Sequence, residues 1–287
     1  MRPEAEHERA LLAVFAHPDD ESFGPGGTLA RYAREGASVR LVCGTDGNAG
    51  TVDAAMMEGY KSTSQLRAAE LCCAAQALGL AGIDWLAYRD SGMVGAPENQ
   101  HPDSLVRAPM EKLVGQIVAS IRRHKPQVIL CDNRYGGYGH PDHIKLHQAT
   151  MRAFYAAADG TQHPEAGSPH QAERLYHPAF GFKMVRLLVR LMPVAGRNPH
   201  KFGRNGDIDL AEIVKWETPV HARIDVSRYL GVKMAASACH RSQGSPMEMA
   251  RKMPGWLARR LYGSEGFTQA IPEPSERARI VRDLFPG

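Results

Sequence analysis

The segment Leu-Leu-Ala-Val-Phe-Ala-His-Pro-Asp-Asp-Glu, residues 11–21, joins six consecutive apolar residues to a polar turn. An apolar stretch of this length without alternation is typical of a strand that is buried on both faces of a parallel sheet. Pro18 stiffens the turn. The imidazole of His17 and the adjacent carboxylates of Asp19 and Asp20 therefore lie directly after the strand. The segment therefore predicts a central strand whose carboxyl end carries a chemical site.

Alternating strands and helices continue from this segment to about residue 158. We predict further strands at 39–43, 83–88 and 127–131, and helices at 28–35, 62–78, 109–125 and 142–158. Glycines at 36 and 79 are typical helix stops. Strands separated by helices of this length indicate an α/β fold with a doubly wound, mostly parallel, Rossmann-like sheet.

The pattern becomes less regular after residue 158. We predict a strand at 220–226, a helix at 228–240 and a short helix near 275–284. We expect this C-terminal part to pack on one side of the sheet. The interpretation is a single domain over residues 1–287, in which residues 10–160 form the α/β core with the chemical site, and residues 161–287 form the substrate pocket and a lid.

The composition is that of an ordinary globular protein, with 287 residues, 43% hydrophobic and 23% charged, and a net charge of +4. No apolar stretch reaches the roughly 18 residues of a membrane helix, and the polar residues 1–9 lack the apolar core of a secretory signal. We therefore expect no membrane span and a cytoplasmic protein. The five cysteines contain no C-x-x-C pair, so reduced and mostly buried thiols are expected. Thirteen histidines are an excess that points to metal or acid-base chemistry.

Ligands of an open α/β sheet bind beyond the carboxyl ends of its strands. Two of these ends lead into His-Pro-Asp sequences, at 17–19 and at 140–142. Two neutral imidazoles and one carboxylate on an ion leave positions open for water and substrate, as in a catalytic zinc site. A further carboxylate beside them can act as general base in hydrolysis. A third His-Pro-Asp, at 101–103, lacks such flanking residues and is expected to be a plain loop.

The chain resembles the PIG-L/LmbE family of zinc-dependent deacetylases in two motifs, Ala-His-Pro-Asp-Asp-Glu at 16–21 and Gly-His-Pro-Asp-His at 139–143. Supporting segments lie at 45–50, 66–71, 88–93 and 239–243. The resemblance covers most of residues 10–160. It implies that a metal-activated water removes the acetyl group from an N-acetylglucosamine-type substrate.

Carried over by position, the resemblance assigns seven residues to the reaction: the metal ligands His17, Asp20 and His143, the general base Asp19, and His140, Tyr138 and Asp142. His140 is expected to stabilise the tetrahedral oxyanion or to protonate the leaving amine, with Asp142 orienting its ring. Tyr138, on a glycine-flanked loop, is expected to polarise the amide carbonyl. Zinc is the expected metal, while two histidines and one carboxylate also suit Fe²⁺.

The resemblance further implies four substrate contacts. Arg67 and Asp90 are expected to hold sugar hydroxyls, and His240 is expected to line the pocket. Asn48 is expected near the aglycone, where some thiol-pathway members have Glu, so a carboxylate that could recognise an inositol-like group is missing. The mycothiol precursor is therefore not the default substrate in this interpretation.

Two other functions stay open at this point: an amidase of the same family that cleaves thiol S-conjugates, and a non-catalytic carbohydrate-binding protein. Segment 174–206 contains seven Lys or Arg and no acid. A helix at 182–192 with one solvated face is its expected structure, with a membrane-surface or partner contact, or a lid over the site, as alternatives. Nucleic-acid binding is not expected because the net charge is only +4. The expected partner is a small amino-sugar substrate, and the sequence indicates no oligomeric state.

Overall fold

The computed structural model describes residues 9–179, 182–202, 206, 208–275 and 278–286. Within these residues, one sheet contains seven strands: β1 (Ala10–Phe15), β2 (Ser38–Thr45), β3 (Gly82–Tyr88), β4 (Val128–Cys131), β5 (Arg174–Ala179), β6 (Ala222–Asp225) and β7 (Ser264–Ile271). Their order is β3-β2-β1-β4-β5-β7-β6. The first five strands in this order are parallel, and β7 and β6 pair antiparallel at one edge. The predicted mostly parallel sheet is confirmed.

Eleven helices are found in the described part of the chain: α1 (Asp20–Phe23), α2 (Gly26–Arg34), α3 (Thr63–Leu78), α4 (Met110–His124), α5 (Gly136–Gly139), α6 (Pro141–Ala156), α7 (Phe182–Leu191), α8 (Leu210–Ile213), α9 (Leu230–Cys239), α10 (Glu248–Lys252) and α11 (Gly255–Tyr262). Local sequence sets their ends. The Ser62 hydroxyl accepts the Gln65 N–H at the start of α3, and Gly79 ends that helix in the left-handed conformation with φ 79°.

Helices cover both faces of the sheet, and β1 lies at its centre. Leu12 and Val14 pack in the core that α4 and α6 complete, whereas Leu11, Ala13 and Phe15 pack in the opposite core with α2, α3 and α9. Every residue of β1 is buried. The expectation of a strand buried on both faces is therefore correct, and the doubly wound arrangement follows from it.

The C-terminal part differs from the sequence-based expectation. The helix predicted near 275–284 is wrong, because the described residues of that segment form no helix and Val281 instead pairs with Ala222 in an isolated bridge. Strands β5 and β7 were not predicted. The first begins in a basic segment and contains Pro178, and the second begins with Ser-Glu-Gly, so both contain residues that are disfavoured in strands.

Helix α7 confirms the helix that was predicted within the basic segment. Its Leu187, Leu188 and Leu191 are about half exposed. A surface contact or a lid role for this helix stays a prediction. Among the described residues, none of the helices combines the length and the apolar character that spanning a bilayer requires.

A disulfide joins Cys73 of α3 to Cys239 of α9. The expectation that all five cysteines are reduced is therefore wrong for this pair. Of the remaining three, Cys43 and Cys131 are buried as expected, and Cys72 is exposed. Neither the odd number of cysteines nor their spacing could predict this disulfide, because 166 residues separate the two cysteines. Only the packing of α3 on α9 brings them together.

Candidate metal centre

The two His-Pro-Asp sequences meet because β1 and β4 are parallel neighbours in the sheet. His17 follows β1 in the turn that leads into α1, and His143 lies in the first turn of α6, which follows β4 and α5. The turn after β1 is unusual in its backbone. Asp19 has φ 133°, a value that residues other than glycine rarely adopt, and such conformations cluster at functional sites.

Three donor atoms converge at this edge of the sheet. Nδ1 of His17 lies 3.0 Å from Nε2 of His143, Oδ2 of Asp20 lies 3.5 Å from that same Nε2, and Oδ2 of Asp20 lies 3.8 Å from Nδ1 of His17. Bonds of 2.0–2.1 Å to a tetrahedral zinc ion separate its ligands by about 3.4 Å. The three predicted ligand atoms are therefore spaced as a single ion requires.

Carboxylates face the second nitrogen of both imidazoles. Asp132 Oδ2 lies 2.8 Å from Nδ1 of His143, and Asp142 Oδ2 lies 3.3 Å from Nε2 of His17. Metal-bound histidines usually have such partners, which fix the orientation of the ring and raise its basicity. Asp132 is not among the predicted site residues, although an acidic residue directly after the last residue of a strand is a usable signal.

The local charge favours a cation. Burial disfavours the charged form of His143, but Asp132 and Asp20 outweigh this effect and raise its pKa to about 9. Burial likewise opposes the charge on His17, and Asp90, Asp142 and Asp20 together raise the pKa of this histidine well above its ordinary value. The surrounding carboxylates therefore stabilise positive charge at the point where the donor atoms converge.

Asp19, the predicted general base, is held by Arg67. Nη2 of Arg67 lies 3.0 Å from Oδ2 of Asp19, and the same guanidinium donates to the carbonyl oxygens of Pro18 and Gly47. Burial raises the pKa of Asp19 to about 7, although Arg67 acts in the opposite direction. A carboxylate with a pKa near neutrality can both accept and return a proton at neutral pH.

His140 and Asp142 interact differently from the prediction. The Asp142 carboxylate accepts the N–H and the hydroxyl of Ser91 and lies closer to His17 than to His140, whose Nδ1 is 4.0 Å away. His140 Nδ1 instead accepts a hydrogen bond from the backbone N–H of Asp142, at 3.2 Å. The carboxylate thus supports a metal-ligand candidate, and the backbone at the start of α6 orients His140.

Tyr138 lies against both imidazoles of the second motif. Its ring centroid is 5.8 Å from that of His140 and 5.2 Å from that of His143. Burial raises the pKa of Tyr138 well above its ordinary value, so the phenol keeps its proton and remains a hydrogen-bond donor. The flanking Gly137 has φ 68° and Gly139 has φ 90°, values at which glycine is strongly preferred.

A cavity of about 380 Å³ opens at this centre, and polar and apolar atoms contribute about equally to its wall. We call it the polar cavity because charged and hydrogen-bonding side chains line it. Arg67 and Asp90, two of the four predicted substrate contacts, line it together with His17, Asp19, Tyr138 and His140. Glu98, Ile208 and Gln243 also line it, and these three are not among the predicted site residues. Ile208 belongs to the less regular C-terminal part, which was expected to form a lid.

Asn48 and His240 are absent from the described residues that line this cavity. The Asn48 side chain accepts a hydrogen bond from the Ser64 hydroxyl at 3.3 Å. His240 is fully buried, and its Nε2 lies 2.8 Å from Oε1 of Glu21, which is also fully buried. A direct substrate contact stays a prediction for both residues, and His240 also supports the turn that contains the ligand candidates.

Comparison with known proteins extends the resemblance to nearly the whole chain. The family model of PIG-L, described as GlcNAc-PI de-N-acetylase, matches residues 12–154. The chain is 34% identical over 283 residues to the 1D-myo-inositol 2-acetamido-2-deoxy-alpha-D-glucopyranoside deacetylase of Thermobispora bispora, which covers 96% of this chain and 92% of the relative.

Solved structures share the fold at lower identity. The N,N'-diacetylchitobiose deacetylase of Pyrococcus horikoshii superposes with a TM-score of 0.61 at 19% identity, covering 91% of this chain and 84% of that one. GalB, the 4-carboxy-2-hydroxymuconate hydratase of Pseudomonas putida KT2440, also reaches 0.61, at 18% identity and with coverage of 94% and 100%. Because a hydratase shares the fold, the fold alone does not determine the reaction. The identity to the curated relative over almost the full length does determine the family, and the chain belongs to the PIG-L family.

Proposed function

We propose that this protein is a metal-dependent deacetylase that hydrolyses the acetamide of a 2-acetamido-2-deoxyglucopyranoside. The observation that carries the proposal is the convergence of His17 Nδ1, His143 Nε2 and Asp20 Oδ2 within 3.0–3.8 Å of one another, directly beside the Asp19 carboxylate. The names of the relatives support the substrate class. The reaction is hydrolysis of a linear amide and needs no covalent nucleophile.

Zinc is the metal we propose, held by His17, Asp20 and His143. Two imidazoles and one carboxylate are a typical ligand set for a catalytic zinc and leave a position open. When bound, the ion supplies Lewis-acid charge that lowers the pKa of a coordinated water and polarises the amide carbonyl. Asp132 and Asp142 fix the two imidazoles from behind through contacts of 2.8 and 3.3 Å.

The chain's own residues supply the proton transfers. Asp19, held by Arg67 and with its pKa near neutrality, accepts a proton from the attacking water. The water oxygen bonds to the acyl carbon, the C–N bond breaks, and the departing nitrogen takes a proton from Asp19. Burial lowers the pKa of His140 to about 2, so its neutral ring serves as a hydrogen-bond donor to the oxyanion. Tyr138 donates a hydrogen bond to the oxyanion as it forms. The products are acetate and the free amine.

The polar cavity suits a sugar and a hydroxyl-rich aglycone. Its volume of about 380 Å³ lies within the usual range for small-molecule sites, and Arg67, Asp90, Glu98 and Gln243 provide hydrogen-bonding groups in its wall. The relatives named for an inositol glycoside are 34% and 36% identical to this chain over most of its length. We therefore propose 1D-myo-inositol 2-acetamido-2-deoxy-α-D-glucopyranoside as the first substrate to assay.

The test is the release of free amine by zinc-loaded protein from a panel that contains this inositol glycoside, simpler N-acetylglucosamine glycosides and thiol S-conjugates. Asp19→Asn is expected to retain metal and to lower kcat by about 10²–10⁴-fold, as loss of a general base does. Asp103→Asn, in the exposed third His-Pro-Asp sequence, is the matched control. Undiminished turnover by metal-free protein, or by Asp19→Asn, would sink the proposal.

A further inference from the structure

A second cavity, of about 340 Å³, opens on the other side of the reacting groups. Its wall is mostly apolar through Phe15, Phe23, Pro25, Pro178 and Pro246, together with Gly24 and Gly137, and Asp132 and Asn133 add polar groups to it. Asp20 and His143 line this cavity, whereas His17 and His140 line the polar one. Asp19 and Tyr138 line both cavities. The proposed reaction centre therefore lies between a polar and an apolar cavity.

The chemistry of amide hydrolysis determines which part of the substrate faces each cavity. The tetrahedral carbon bears the former carbonyl oxygen, the oxygen from water, the nitrogen with its sugar, and the acyl substituent. Arg67 and Asp90, the proposed sugar contacts, line the polar cavity alone, so the sugar and the nitrogen attached to it belong there. The acyl substituent points away from the nitrogen and hence toward the apolar cavity.

An acetyl group does not need a cavity of this size. A single methyl group is all that acetyl presents to the acyl side, while cavities of roughly 300–1,000 Å³ hold whole small ligands. A neighbouring cavity of about 420 Å³ has five wall residues in common with this one: Phe23, Gly24, Pro25, Pro178 and Pro246. The shared residues thus extend the space beyond the volume that acetyl uses, and the charged side chains of Arg223, Lys233 and Glu265 line its far part.

We propose that this second cavity is an acyl subsite and that the enzyme also hydrolyses glucosaminides with linear N-acyl chains of about four to eight carbons. The inference rests on the proposed deacetylase function. In each turnover the water oxygen bonds to the acyl carbon and the C–N bond breaks. The nitrogen takes both protons of the attacking water and leaves as the ammonium form of the amine, and the chain leaves as its carboxylate.

The experiment uses one glucosamine glycoside bearing N-acetyl, N-butanoyl, N-hexanoyl or N-octanoyl groups, with amine release measured for the zinc-loaded enzyme. Burial of each methylene is worth at most about a fourfold gain in kcat/KM, so kcat/KM is expected to rise from acetyl until the cavity is filled. A steady fall from acetyl onward overturns the acyl subsite while leaving the deacetylase intact. Failure on every member, acetyl included, refutes the proposed function instead.

A binding measurement decides the subsite without turnover. The same series is titrated into Asp19→Asn by isothermal calorimetry, and Kd is expected to fall with chain length, again by up to about fourfold per methylene. A Kd that stays constant or rises with length contradicts the subsite, whatever the enzyme hydrolyses.

A variant at the rim tests the location. Pro246 is exposed, and Pro246→Phe fills the apolar cavity without disturbing the core. The ratio of kcat/KM for N-hexanoyl to that for N-acetyl is expected to fall at least tenfold. The matched control is Pro254→Phe. Pro254 is also exposed and precedes a C-terminal helix, but it lines neither the proposed acyl subsite nor the neighbouring cavity. Equal ratios in the two variants overturn the assignment.

Discussion

Asp132 Oδ2 lies 2.8 Å from Nδ1 of His143. The opposite nitrogen of this ring is the proposed metal ligand, so Asp132 determines how the ligand is oriented. Asp132→Asn is expected to weaken metal affinity about 10–100-fold, the usual cost of losing such a partner. Competition with a chelator of known affinity measures the change. Asp103→Asn, which alters an exposed carboxylate, is expected to change nothing, and equal affinities for both variants contradict the role of Asp132.

Arg67 and Asp19 form a largely buried ion pair with a contact of 3.0 Å. Arg67→Met leaves the Asp19 carboxylate without its partner and is expected to lower the free energy of unfolding by about 3 kcal/mol, as breaking a buried pair does. In the Asp19→Asn background the same change is expected to cost clearly less. Denaturant titration of the four proteins of this double-mutant cycle measures the coupling energy. Additive effects contradict a direct interaction.

Arg122 is a buried residue of α4 whose five N–H groups lie within hydrogen-bond distance of six backbone carbonyls, those of Ala156, Ala157, Asp159, Gln162, His163 and Gly167, so that one N–H is shared between two of them. It thereby joins the end of α6 to the loop before β5. Arg122→Met leaves these carbonyls without their donor and is expected to cost about 3 kcal/mol or more in the free energy of unfolding. The neighbouring Arg123 is 64% exposed in its side chain, and Arg123→Met is expected to cost less than about 0.5 kcal/mol. Similar thermal transitions for the two variants contradict the prediction.

His177 of β5 makes stability depend on pH. Burial lowers the pKa of His177 to about 4, whereas an unfolded histidine titrates near 6.5. Between these values the unfolded state binds a proton that the folded state does not, so the free energy of unfolding falls as pH decreases from about 7 to 4. The contribution is at most about 3 kcal/mol.

Urea titrations across this pH range, in the presence of a chelator, compare the wild type with His177→Asn. The amide can still donate to the Cys131 carbonyl, which His177 Nδ1 contacts at 3.0 Å. The variant is expected to lose less stability toward pH 4 than the wild type. His101→Asn, at a side chain 40% exposed, is expected to follow the wild type. Parallel curves for His177→Asn and the wild type refute the assignment.

The sequence allowed the parallel half of the sheet to be predicted because its signals are local. The unbroken apolar stretch before His17 indicates a strand buried on both faces, and Ser62 and Gly79 mark the ends of α3. Parallel pairing then brings the ends of β1 and β4 together, which is why two motifs more than a hundred residues apart predicted one site.

Local signals do not determine which side chain supports which partner. The Asp142 carboxylate bonds to Ser91 rather than orienting His140, because the loop after β3 lies within reach of α6. Likewise β7 pairs with β5 although its own sequence favours strand only weakly. Such contacts depend on the packing of segments that are distant in the sequence, so the spacing of residues within one segment cannot predict them.

Two side chains of the C-terminal part bind the segment that follows β1, which contains the turn with the ligand candidates and the start of α2. His240 bonds to Glu21 at 2.8 Å, and the Glu265 carboxylate accepts the N–H groups of Gly27 and Thr28 at 3.0 and 2.8 Å. Both lie beyond residue 154, where the family match ends, so the C-terminal part contributes to positioning the segment after β1. A C-terminal part remodelled for another aglycone is therefore expected to keep these two anchoring contacts.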